Sequence, residues 1–412
     1  MILVALEWRR DDDPRTGLGV ASIAATLRAE AGVEADIVTT FVNDPSFDAA
    51  AFESAVVAAA GRAGPEAVVA LGVYVWNEAV VQRLLPSLRA RWAGTIVLGG
   101  PQVTYAPPGT LETSYPHADV FIRGHAEVGM VALARRDPRS GAGLHLAGTP
   151  DVGHMARMDP GRTPSPYLDG TLPIGRHVRW ETQRGCPFVC NFCQHPGAVG
   201  RSVYFPIERV LAELDAFAGA RVERISVLDP IFNTDTGRAV RILEHARSRR
   251  LRAKLVLQCR FEYIDGAFLD ALEGLDATLE FGLQTIHDAE GRAVRRPNKL
   301  DVVERVMRAL RARGIDFEVS LIYGLPEQTL ASFRETVAWC EEREVPRIRA
   351  WPLMLLRGTA LYERRHELGL SESTHLPIPI VVASRSFTRE DHARMEELAT
   401  ALLAPSRRST AA

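Results

Sequence analysis

From the first residue, apolar β-branched runs alternate with segments whose apolar positions recur every three or four residues. ILVALEW, EADIVTTF, AVVALGV, TIVLGG and ADVFIRG predict strands, while GVASIAATLRAEA, residues 49–62, residues 77–92 and AEVGMVALARR predict helices. The strands are almost continuously apolar, the pattern of a sheet covered on both faces. Residues 1–136 are therefore expected to form a five-stranded, doubly wound, Rossmann-like domain of parallel strands.

Residues 137–176 break the alternation with Gly, Pro and polar turn formers and predict an interdomain connection. Six further units follow. Their strands are HVRWETQRG, RISVLDP, KLVLQCRF, TLEFGLQT, DFEVSLIYG and RIRAWPLM, with helices near 206–218, 236–249, 266–274, 300–313 and 330–343. Six units are too few to close an eight-unit barrel, so residues 177–360 predict an open, partial (β/α)6 barrel with its chemistry at the carboxyl ends of the strands. The rest, 361–412, predicts a short extension with a helix near 389–403 and a frayed end.

A chain of 412 residues with 46% hydrophobic and 24% charged residues suits two soluble domains. The formal charge of −2, with acids and bases interspersed, offers no basic field for nucleic acid, so a small molecule or peptide is the expected substrate, the first slightly favoured. The chain enters a strand at once, without a basic leader or a cleavage site, and no apolar run reaches the roughly 18 residues of a membrane span. A cytoplasmic location is expected, where cysteines stay reduced and a tight group of them suggests metal before disulfide.

Such a group exists in RGCPFVCNFCQHP, where Cys186, Cys190 and Cys193 are three of only five cysteines. Structural zinc wants four ligands, and the nearest fourth, His195, is close behind the last cysteine. An iron–sulfur cube held by three thiolates instead leaves one iron open to a substrate or cofactor. The C-x3-C-x2-C spacing, Phe192 before the last cysteine, and the position after the first barrel strand resemble the radical S-adenosylmethionine (SAM) superfamily. That resemblance implies a [4Fe–4S] cluster whose open iron chelates SAM, and an external electron donor such as a flavodoxin or ferredoxin. Reductive cleavage would then give a 5′-deoxyadenosyl radical that removes hydrogen from an unreactive carbon.

Over residues 178–363, LEFGLQT, AVRRPN and above all LIYGLPEQT resemble the oxygen-independent coproporphyrinogen oxidase and methylthiotransferase branch. The match implies that Gln284 and Arg296 contact the nucleoside and carboxylate of SAM, a pairing for which a guanidinium is suited. Ser320 stands where an acidic residue is usual. Phe192, Ser320, Asp229 in LDPIFN, and Gln258 and Arg260, which end the third strand, are further candidates for the same cofactor, although Asp-Pro is also an ordinary turn. Tyr323, Arg349, Trp351 and Tyr105 are candidate substrate-pocket residues.

In the first domain no G-x-G-x-x-G follows the first strand, which argues against a dinucleotide, and Asp11 to Asp13 predict a solvated loop. A nucleotide binder, a cobalamin binder and a bare scaffold share this fold. The loops GVYVWNEAV, LGGPQVTYAPP and FIRGHAEVG resemble those of the cobalamin-binding domain that precedes the barrel in one radical SAM class. The resemblance implies that Gly99, Gly100 and Pro101 let the backbone approach a corrin, with Tyr74, Trp76, Asn77 and Gln102 lining its lower face and Gly124 and Glu127 in the last loop. The chain lacks the Asp-x-His-x-x-Gly motif that supplies a cobalt ligand, and RGHAE stands for the usual Arg-Gly-Glu-Gly-Glu, with His125 and Ala126 in its middle.

The function implied is cobalamin-dependent methylation of an unactivated carbon of a small metabolite. The same cluster also serves rearrangement, cyclisation, dehydrogenation or epimerisation. A noncatalytic cobalamin or iron–sulfur sensor is the alternative from another class, and neither a helix-turn-helix nor a charged arm supports it.

Overall fold

The computed structural model describes residues 1–10, 14, 16–137, 143–195, 201–373 and 378–403. The Asp11 to Asp13 loop and the end after residue 403 lie outside the described residues. The described residues fall into two compact units, one of 1–179 and 203–222, the other of 180–195, 201–202 and 223–403.

The first unit contains β1 (Ile2–Glu7), β2 (Asp36–Phe41), β3 (Val69–Gly72), β4 (Ile96–Gly99), β5 (Val120–Ile122) and β6 (Leu144–Leu146). They form one sheet in the order β2-β1-β3-β4-β5-β6, parallel except for β6. Strand alternation divides β1 between two cores. Ile2, Val4 and Leu6 pack into one with Val69, Leu71 and Leu98, while Leu3 enters the other with Val97, Val120 and Leu27. Helices cover both faces and have local start signals: Asp48 accepts hydrogen bonds from the backbone N–H groups of Ala50 and Ala51 at the head of Ala49–Ala63. This is a doubly wound domain whose strand order reverses between β1 and β3.

The stretch expected to be a bare connection does more than connect. It supplies β6 to the sheet edge, and Tyr167 meets Phe217 edge-on at 5.0 Å. Phe217 belongs to the helix Ile207–Gly219, expected in the barrel but grouped with the first unit, and Arg209 of that helix donates to the Thr163 carbonyl at 2.7 Å. Sequence periodicity locates such a helix without saying which core receives its apolar stripe.

Further strands are β7 (His177–Trp180), the two-residue β8 (Gln183–Arg184) and β9 (Val203–Tyr204), then β10 (Arg224–Val227), β11 (Lys254–Cys259), β12 (Ala277–Gln284), β13 (Asp316–Tyr323) and β14 (Ile348–Pro352). The second sheet runs β14-β13-β12-β11-β10-β7, in chain order apart from β8 and β9, with β10 to β14 parallel. Between strands lie the helices Thr236–Ser248, capped by Asp235, and Leu330–Glu342, started by a Thr329/Ser332 capping box. This is the open parallel sheet of a partial barrel. The chain then adds a small antiparallel pair, β15 (Ser371–Glu372) and β16 (Val381–Ala383), and the helix Arg389–Ala401.

Alternation along β12 and β13 separates two faces. Leu279, Phe281, Leu283, Phe317, Val319 and Leu321 are wholly buried. Their neighbours form a polar face on which Gln258, Glu280 and Glu318 share one row and Gly282, Ser320 and Arg349 the next.

Candidate functional site

The three cysteines follow β8 on a loop that opens at Gly185, whose φ of 79° is left-handed. Cys186 is buried, and Cys190 and Cys193 are partly exposed. The loop is fastened from below: Asn191 accepts Leu361 N–H on its carbonyl, donates its own N–H to the Val294 carbonyl, each at 3.0 Å, and donates its side-chain amide to Ala293. The His195 N–H donates to the Cys193 Sγ at 3.4 Å.

Burial pushes all three thiols up, Cys193 to about 11, while the Arg296 charge opposes this at each of them and the Arg260 charge at Cys186 and Cys190. Three thiolates here therefore call for a cationic group. Among the described residues no set of three or more His, Cys, Asp or Glu side chains is arranged to hold a single metal ion.

Gln284 and Arg296 come together at the end of β12. Gln284 adopts a φ of 68°, rare for a residue with a side chain, at an irregularity in the β12/β13 register between Gly282 and Gln284. The kink is held by Asn298, whose amide donates to the carbonyls of Leu283 (2.7 Å) and Thr285 (2.8 Å), and by Arg296, whose Nη2 donates to the Gly282 carbonyl. A β-carbon on Gly282 would collide with the Gln284 amide. Among the described residues, Gln284 Oε1 and Arg296 Nη1 are buried without a hydrogen-bond partner. Such atoms are costly unless a ligand completes them.

Other expected SAM contacts are placed differently. Asp229 is fully buried, and its carboxylate accepts the Thr182 hydroxyl and the N–H groups of Thr182 and Gln183. It thus fixes the chain leading to the cysteines, with burial pushing its carboxyl up to about 7. Arg260 has Nε and Nη2 bonded to Glu262 at 3.2 and 2.9 Å. Gln258 is exposed and Ser320 partly so, both on the polar face of the sheet, and Phe192 is half-buried. Tyr323, expected near a pocket, is 3% exposed and packs on Phe333 and His392 instead; Trp351 is 49% exposed.

The supports of the kink have no local mark in the sequence. Gln328 of LIYGLPEQT is fully buried, accepts from Gly324 N–H at 2.7 Å and donates to Glu290, which also accepts the Thr285 hydroxyl at 2.6 Å. The motif was visible; which of its residues ties the loop to β12 was not.

In the first unit the candidate residues lie around the carboxyl ends of β1, β3, β4 and β5. Tyr74 and Trp76 stack with centroids 4.5 Å apart and 11° between planes. Asn77, fully buried, donates to the carbonyls of Leu6 (2.9 Å) and Gly72 (3.0 Å) and accepts from Tyr74 N–H, so it clamps the β1/β3 switch point. Gln102 donates to Glu78, and Glu127 accepts the Ser22 hydroxyl at 3.0 Å. Gly100, at a φ of 92°, would set a β-carbon 2.7 Å from the Val73 carbonyl, and Gly124, at 81°, would drive one into Ala156. The fold itself demands these two glycines. Gly99 is different, because a β-carbon there meets nothing nearer than 3.7 Å. His125 accepts from Met158 N–H at 3.0 Å. Arg123, unforeseen, is buried against Asp151 at 2.6 Å and donates to the carbonyls of Val103, Thr104 and Ala106, bracing the loop after β4.

Two family models match along the chain, and the one nearer the carboxyl end takes in the helix Ile207–Gly219. The radical SAM superfamily model matches residues 180–340 and the B12 binding domain model residues 15–134. The chain thus carries a region that matches the radical SAM superfamily behind one that matches the B12 binding domain. It is 29% identical to the cobalamin-dependent radical SAM methyltransferase TokK of Streptomyces tokunonensis over 301 residues, 66% of this chain and 44% of that protein. It is likewise 29% identical over 317 residues to the 2-(S-pantetheinyl)-carbapenam-3-carboxylate methyltransferase of Streptantibioticus cattleyicolor, 68% of this chain and 45% of that one. The chain thus spans less than half the length of either relative. Its fold matches the radical SAM methyltransferase TsrM from Kitasatospora setae with a TM-score of 0.76 at 15% identity, over 98% of this chain and 89% of that one. The cobalamin-dependent SAM radical enzyme OxsB matches with a TM-score of 0.69 at 14% identity, over 96% and 66%.

Proposed function

We propose that the protein is a cobalamin-dependent radical SAM methyltransferase acting on an unactivated carbon of a small molecule. The observation that carries this reading is the pair of buried, unpartnered polar atoms, Gln284 Oε1 and Arg296 Nη1, beside three cysteines in a chain that also has a B12-binding domain.

Cys186, Cys190 and Cys193 would hold the [4Fe–4S] cluster, Arg296 the SAM carboxylate and Gln284 its nucleoside. The switch point between β1 and β3, with the loops after β4 and β5, would hold cobalamin, and Tyr74 and Trp76 offer it a flat apolar rim. When bound, these groups supply a hydrogen-abstracting radical and a transferable methyl group. The chain's own part is to orient SAM through Arg296 and to keep the Gln284 kink rigid through Asn298 and Gln328. An external one-electron donor belongs to this reading, and so does a location in the reducing cytoplasm. No helix among the described residues is long and apolar enough to cross a membrane.

Anaerobic reconstitution with iron, sulfide and hydroxocobalamin, followed by desalting, tests the cofactor set. Retained iron, sulfide and cobalamin followed by products heavier by one methylene support methylation. Iron without cobalamin, and products of unchanged carbon count, would move the assignment to a radical rearrangement or oxidation.

A further inference from the structure

The cysteine loop rests on a second guanidinium whose bonding differs from that of Arg296. Arg260 is 7% exposed, and its guanidinium carbon lies 3.8 Å from the centroid of the Phe188 ring. Phe188 is the middle residue between Cys186 and Cys190. Its neighbours Pro187 and Val189 are exposed, so Phe188 is the side chain of this interval that packs inward, against Arg260 and, at 6.2 Å, Tyr263.

The platform beneath it is rigid. Asn233, fully buried, accepts from the Arg260 N–H and donates to its carbonyl, each at 3.0 Å. The next residue, Phe261, stacks on Phe281 of β12 with centroids 4.0 Å apart and 9° between planes. Glu262 holds Nε and Nη2 in plane, which leaves the guanidinium face to the aromatic ring. Resting on the cluster reading above, we infer that Arg260 is not a SAM contact but a positioning residue. It fixes the first turn of the cysteine loop through Phe188 and places a fixed positive charge, moderated by Glu262, beside the cluster held by Cys186 and Cys190. A positive charge in a partly buried site favours the more negative, reduced cluster, so it raises the reduction potential.

Four variants, reconstituted as full chains, test this by iron and sulfide content and by the cluster's midpoint potential in an anaerobic titration without SAM. Arg260→Gln shifts the potential to more negative values and lowers iron retention. Arg260→Lys keeps the charge but loses the flat stack, so iron retention falls with little shift. Phe188→Leu does the same. Glu262→Gln unmasks the arginine and shifts the potential the other way, to more positive values. SAM affinity per cluster, read by equilibrium dialysis, stays within a few-fold of the parent in all four.

An Arg260→Gln protein with unchanged potential and full iron overturns the inference. So does one whose main defect is SAM affinity, which would make Arg260 a cofactor contact after all. If that variant takes up no iron, Glu262→Gln decides, and an unchanged potential there is the contrary result. A parent chain that binds no cluster refutes the underlying functional reading instead.

Discussion

Arg296 and Arg260 are both buried and both felt by the cysteine thiols, yet only Arg296 retains a buried nitrogen without a partner. In the proposed reading Arg296 is therefore the group that would take the SAM carboxylate. Arg296→Lys should weaken SAM binding by about 10- to 100-fold, the loss of a charge-assisted hydrogen bond of roughly 1.5–3 kcal/mol, as read by calorimetry on the reconstituted protein. Asp229 gives a prediction in pH. In the unfolded chain it ionises in the ordinary carboxylate range, whereas burial raises the folded value to about 7. Between those values the native state holds the extra proton, so stability from this group falls as pH rises and levels off above about 7. Asp229→Asn mimics the protonated form. Thermal unfolding between about pH 5 and about pH 7 should show the parent losing ground to the variant, and parallel curves would refute the assignment.

At the scale of elements, the kink at the end of β12 and the loop after β13 act as one unit through Glu290 and Gln328. Gln328→Ala would leave the N–H groups of Gly324 and Leu325 without their acceptor and cost about 1–3 kcal/mol of stability, measurable by denaturant unfolding. Gly282→Ala acts differently. Its β-carbon meets the flexible end of Gln284, so the chain should fold with near-parent stability while SAM affinity drops. Equal losses of stability and affinity would show that the kink is structural rather than part of the binding site.

For the whole molecule, two families of loop at the carboxyl ends of two sheets should load separately. Cys190→Ala should abolish iron and sulfide uptake while cobalamin is retained. Gly100→Ala forces a β-carbon onto Val73 beside the switch point and should lose cobalamin while iron is retained. Iron and corrin quantitation on both variants is sufficient. Joint loss of both cofactors from either variant would contradict separate loading.

The order of strands and helices was legible in the sequence because burial on both sides of a parallel sheet writes itself as continuous apolar runs, and helices as a period near 3.6. The cysteine spacing was legible for a similar reason, since a loop can present three thiolates only if they are close in sequence. Contacts between distant segments carry no such local mark. Tertiary structure alone decided that residues 144–146 add a strand, that Tyr167 packs edge-on against Phe217 of the helix Ile207–Gly219, and that Asp229 braces the chain before the cysteines. It also separated the surroundings of the two arginines: Arg260 and Arg296 look alike as residues ending barrel segments, and only the arrival of Glu262 and Phe188 at one, with an unpartnered nitrogen at the other, motivates the different roles proposed for them.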